Sequence, residues 1–147
     1  MKYIELPRQI GKTFKISMEK INHPEHYNQT DIEVIDVIES YELNFSLGNS
    51  VKYLLRCGLK HEDIAEDIHK AIWYLKRSLK NTIPTVRPKF PIPTRKVLAN
   101  RVLPVEVENA LFCMLRGLGT TDKDRYKTIA EDAISSAILE LEKYDKL

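Results

Sequence analysis

Apolar residues return every three or four positions along most of the chain, the period of a helix with one buried face. The first such run holds Ile32, Val34, Ile35, Val37, Ile38 and Tyr41. Thr30-x-x-Glu33 opens it as a capping box, so a largely buried helix is predicted from Thr30. The second run places Leu47, Val51, Leu54 and Leu55 inward, with Ser46 as the predicted cap and Gly58 as a left-handed stop. A third helix is predicted from near His61, with Ile64, Ile68, Ala71, Ile72, Leu75 and Leu79 as its stripe. Glu62, Asp63, Glu66 and Asp67 crowd its start and Lys76, Arg77 and Lys80 its end, both complementing the helix dipole. Two further helices are predicted, from Val105 to Arg116 with a stop at Gly117 or Gly119, and from Asp122 to Tyr144. The last carries Ala130, Ala133, Ile134, Ala137, Ile138 and Leu141 on one face.

Two stretches break the helical period. Residues 1–22 read as extended, with Tyr3–Leu6 and Thr13–Ile16 able to pair as a hairpin. Residues 81–104 carry five prolines and Arg87, Lys89, Arg95, Lys96 and Arg101, without one Asp or Glu. Such a segment reads as a polyproline-like basic arm crossing its own or a neighbouring subunit. The predicted fold is therefore all-α, a small bundle of about five helices with a short extended N-terminal segment and a Pro-rich basic arm. Its parts are residues 1–22, a three-helix core at 23–80, the arm at 81–104 and a C-terminal helical hairpin at 105–147, together forming one compact domain. The arm and the several short amphipathic helices lead us to expect a homo-oligomer. Leu55-Arg56-Cys57-Gly58 followed by Ala65-Glu66-Asp67 is echoed by Leu115-Arg116-Gly117 followed by Ala130-Glu131-Asp132, which suggests two helical hairpins of similar shape.

Composition narrows the class. With 147 residues, 43% of them hydrophobic, the chain is long enough to bury a core. A net charge of +2 implies neither a nucleic-acid nor a membrane partner, and no nucleic-acid-binding motif is present. The two cysteines, Cys57 and Cys113, lack metal-binding spacing and argue for a reducing compartment. No signal-peptide pattern and no long apolar run appears, so the cytoplasm is the expected location.

The residues able to carry chemistry form four groups. Asn49, Lys52, Arg56 and Lys60 fall at i, i+3, i+7 and i+11 on the polar side of the second helix. An Arg fork beside Lys amines suits phosphate, although a solvated helix face has the same spacing. Glu33 and Asp36 share a face, and Asp63, Glu66 and Asp67 start the third helix. Glu33, Asp36 and Asp67 are candidate ligands for Mg²⁺ held together with nucleotide phosphates, competing with ordinary capping roles. His23-Pro24-Glu25-His26-Tyr27 offers His26 for proton transfer or phosphate contact and Tyr27 for stacking, with a turn as the plainer reading. Trp73 and Tyr74 can sandwich a base or belong to a core or subunit interface. Gly11-Lys12-Thr13 resembles the end of a P-loop, but Leu6 stands where that motif requires glycine.

Four blocks, His23–Tyr27, Ile32–Glu39, Leu47–Gly58 and Glu66–Leu75, occur in the order found in a small bacteriophage family, which the segment 23–80 resembles. That family is catalogued largely as a domain of unknown function, and some members are described as nucleotide kinases. The resemblance implies a P-loop-free protein that handles nucleoside phosphates in the cytoplasm of an infected bacterium. It makes His26, Tyr27, Glu33, Asp36, Asn49, Lys52, Arg56, Asp67, Lys70 and Trp73 the candidate site residues. The leading expectation is a nucleoside monophosphate kinase-like phosphotransferase, with Arg56, Lys52, Asp36 and His26 catalytic and Tyr27, Asn49, Lys70 and Trp73 binding the nucleotide. An Mg²⁺-dependent all-α triphosphate pyrophosphatase is an alternative. So is a non-enzymatic phage protein that sequesters a nucleotide or inhibits a host protein.

Overall fold

In a computed structural model, residues 32–59 and 63–146 are described, and 68% of these are helical with no strand among them. The chain divides into two compact units at Glu33/Val34, and all the described helices belong to the second. The described residues form six α-helices. They are α1 (Val34–Ser40), α2 (Phe45–Leu55), α3 (Ile64–Asn81), α4 (Thr94–Leu98), α5 (Val105–Leu118) and α6 (Tyr126–Glu142), followed by a 3-10 turn, Lys143–Lys146. The all-α expectation holds, with one helix more than the five predicted. The addition is α4, inside the proline-rich arm, where Pro93 serves as N-cap and so costs no helical hydrogen bond. The extended segment expected at residues 1–22 lies outside the described residues.

Helix starts differ from expectation for identifiable reasons. The first helix begins at Val34, later than the Thr30 capping box implied, and Thr30 lies outside the described residues. Asn44, not Ser46, caps α2, its side-chain oxygen accepting the Leu47 N–H at 2.9 Å while its amide donates to the Thr82 carbonyl at 2.9 Å. One side chain thus closes the start of α2 and ties down the end of α3, whereas Ser46 is buried within the helix. α3, expected to start near His61, begins at Ile64 with Asp63 as its cap, the Asp63 carboxylate accepting from Glu66 N–H. Asp122 accepts from Arg125 N–H and closes a turn of its own, so α6 starts at Tyr126.

The stripes predicted for α2, α3 and α6 make most of the core, joined by one face of α5. Leu47, Val51, Leu54 and Leu55 of α2 meet Ile68, Ala71 and Leu75 of α3, all fully buried. α5 contributes Val107, Ala110, Leu111, Met114 and Leu115, and α6 contributes Ala130, Ile134, Ala137 and Leu141. α1 is less buried than predicted: Val37 and Tyr41 face inward, while Ile35 is half exposed. α5 and α6 cross so closely that a Cβ on Gly117 would collide with the Cβ of Ala133.

The arm lies along its own chain. Arg87 Nε donates to the Thr120 carbonyl at 2.9 Å, Lys89 N–H to the Glu42 carboxylate at 2.9 Å, and Ile92 N–H to Ser40 Oγ at 3.1 Å. Tyr41 OH donates to the Ile92 carbonyl at 2.7 Å. Pro88 and Val97 are buried, which anchors the segment with apolar area as well as hydrogen bonds.

Candidate functional site

α2 and α3 run antiparallel, as the Asn44–Thr82 bond at their far ends requires, and their outer faces bring four aromatic rings together. Tyr74 of α3 is the hub. Tyr53 of α2 stacks on it with centroids 6.1 Å apart and planes 15° from parallel. Phe45 and Trp73 meet it edge-on at 6.1 Å and 5.0 Å. Edge-to-face and offset-stacked pairs are the arrangements that ring quadrupoles favour. The cluster is built yet not covered: Phe45 is 78% and Trp73 59% exposed. Trp73 is therefore neither core nor buried within the chain.

Two amines converge on this cluster. Lys52 Nζ lies 4.8 Å from the Tyr53 ring centroid and Lys70 Nζ 5.3 Å from the same ring. Lys70 also pairs with Glu66 at 2.7 Å, and this carboxylate contact holds the ammonium above the ordinary lysine range. Beside it an open groove of about 490 Å³ is lined by Asp63, Ala65, Glu66, His69, Lys70 and Trp73. Neither helix adds acids to the ring-bearing part: none occurs in Phe45–Leu59 or in Ile68–Asn81.

The predicted residues divide accordingly. Lys52, Lys70, Trp73 and Tyr74 are brought together. Asn49 is half-buried on α2, on the side of Lys52 by spacing. The single-helix stripe predicted through Lys60 does not form, because α2 ends at Leu55 and Arg56 is its C-cap residue, N–H bonded to the Lys52 carbonyl. Lys60, His23, His26 and Tyr27 lie outside the described residues. Gly58 is the left-handed stop expected, at φ +80°.

Among the carboxylates, Asp36 is exposed on α1 and Asp67 is buried on α3, while Glu33 precedes α1. Among the described residues no group of three His, Cys, Asp or Glu side chains is placed to hold a metal ion. Asp67 lies near Cys57, whose thiol is pushed up to about 12 by burial and then by that carboxylate. A thiol held protonated in this way is a poor nucleophile. His69 bonds Asp145 at 2.9 Å and 3.1 Å, linking α3 to the 3-10 turn.

Sequence spacing passes over Phe45 and Tyr53, although a signal for them exists. Phe45, Asn49, Lys52 and Tyr53 stand at i, i+4, i+7 and i+8, one face of α2, as Lys70, Trp73 and Tyr74 share one face of α3. Only the pairing of the two helices reveals that these faces are a single surface.

Residues 21–76 match a family described as a protein of unknown function, DUF3310. The match includes the α2 part of the aromatic cluster and reaches Tyr74 and Trp73 on α3. No curated protein and no solved structure matches the chain. No helix among the described residues is long and apolar enough to cross a membrane.

Proposed function

We propose that the α2–α3 face binds a nucleoside phosphate and that the protein transfers a phosphoryl group between nucleotides. The observation that supports this reading is the pair of amines, Lys52 and Lys70, set on either helix against a ring cluster that stays open to solvent. A nucleobase is a flat, polarisable surface that stacks on exposed indole and phenyl rings, and its phosphates need cations a few ångströms away. Phosphoryl transfer asks little covalent chemistry of a protein, because positioning and neutralisation of charge dominate it. In this account Lys52 and Lys70 neutralise the phosphates and Arg56, at the end of α2, adds a bidentate fork. Asn49 donates its amide to the sugar or phosphate. Mg²⁺ is proposed to enter as the companion of the triphosphate, held by the phosphates themselves.

The test is to incubate the pure protein with mixed nucleoside mono- and triphosphates, with and without Mg²⁺, and to separate the products by chromatography. New diphosphates, lost in Arg56→Ala at unchanged helical content, are the expected result. Pyrophosphate with a monophosphate product would instead assign a triphosphate pyrophosphatase. Nucleotides bound tightly but recovered unchanged would assign a sequestering protein.

A further inference from the structure

We infer that the α2–α3 face takes a single-stranded oligonucleotide, with Phe45 and Trp73 each stacking a base and Lys52, Lys70 and Arg77 holding successive phosphates. This rests on the reading of the face as a nucleotide site and extends it, the strand's terminal nucleotide occupying the place of a free one.

A mononucleotide carries one base, but this face offers two open rings. Phe45 and Trp73 come from different helices and are both fixed edge-on against Tyr74. That contact prevents the two rings from collapsing onto each other and leaves both largely solvent-exposed. Large exposed rings held in place by their neighbours mark a binding surface more readily than a solvated face. The cations also extend beyond one nucleotide. Arg77 is exposed and stands at i+7 from Lys70 on the same side of α3, about 10 Å further along the helix. Trp73 and Tyr74 lie between them, so cation, ring and cation alternate along one line. Interleaved rings and cations bind strands with little sequence preference, because every base has a stacking face and every linkage a negative charge. Phe45–Leu59 and Ile68–Asn81 themselves carry no acid, which lowers the repulsion a polyanion meets along them, while Asp63 and Glu66 line the groove beside Trp73. Within the groove, Glu66 is paired by Lys70.

The experiment follows quenching of Trp73, the chain's single tryptophan, on titration with thymidine monophosphate and with a thymidine octanucleotide. The octamer is expected to bind at least about tenfold more tightly, the effect of one further stacked base. Its affinity is also expected to fall more steeply with salt, since each neutralised phosphate releases counterions. Arg77→Ala is expected to remove most of the octamer's advantage and leave the monophosphate's affinity unchanged. Equal affinity for the two ligands would overturn the inference while leaving the nucleotide reading intact. Binding of neither would overturn both.

Discussion

Tyr53 of α2 and Tyr74 of α3 lie nearly parallel, 15° apart with centroids separated by 6.1 Å, on the outer side of two helices whose inner faces are aliphatic. Around this pair the polar exterior of a helical hairpin becomes a surface able to bind. Tyr74 holds three rings at once, so its loss is felt both in stability and in the site.

Tyr74→Ala is expected to destabilise the protein by about 2–4 kcal/mol, from lost ring contacts and packing. It is also expected to shift Trp73 emission to the red, because the indole loses the Tyr74 ring against which it packs. Tyr74→Phe keeps the ring and is expected to retain both properties. Urea unfolding monitored by circular dichroism, with emission spectra of the folded variants, checks this.

Gly117 is required by the crossing of α5 and α6. Gly117→Ala places a methyl group where the Cβ of Ala133 already sits, and overpacking of that kind costs about 1–3 kcal/mol. Pairing it with Ala133→Gly is expected to recover part of that loss. Thermal unfolding of the two single variants and the double variant measures the coupling.

Asn44→Ala removes the α2 cap and the bond to the Thr82 carbonyl together, for an expected loss of about 1–2 kcal/mol. Asn44→Asp restores the cap acceptor but no donor for Thr82, and is expected to fall between the two. Amide exchange at Leu47 reports the cap directly.

How much of this was legible in the sequence depends on which contacts are local. The buried stripes of α2, α3 and α6 follow from spacing within each helix, and Leu54, Leu75 and Ile134 sit where a 3.6-residue period puts them. Exact starts were not legible, because the partner of Asn44 is Thr82, on another helix and unrelated in local sequence. Helix α4 was hidden by its prolines, since Pro93 permits a helix to begin where a proline further in would stop one. Residue type and family resemblance point to Lys52, Lys70 and Trp73. Spacing does not point to Phe45 and Tyr53, because a helix face reads as solvated until its neighbour is known. The stripe through Lys60 failed for a local reason: α2 ends at Leu55 and the left-handed Gly58 redirects the chain.

Alkaline pH is expected to weaken the fold. Burial pushes the Tyr126 hydroxyl from 10.0 up to about 12, and its proton donates to the Leu118 carbonyl at 2.7 Å. Cys57 is raised from 9.0 to about 12 as well, by burial and then by Asp67. In both cases the folded state holds its proton more tightly than the unfolded chain. Their contribution is therefore complete below about pH 9 and is lost as pH rises from there toward 12. Melting temperatures measured between pH 8 and pH 11 should fall. Tyr126→Phe should start lower, having lost its hydrogen bond, and decline less steeply.

The most direct test of the central claim is a fluorescence titration of Trp73 with a nucleoside monophosphate and a nucleoside triphosphate, in the wild-type protein and in Lys52→Ala/Lys70→Ala. Saturable quenching by both nucleotides is expected, weakened at least about tenfold in the double variant at unchanged helical content. A Trp73 signal unaffected by either nucleotide, or equal binding with both lysines removed, would contradict it.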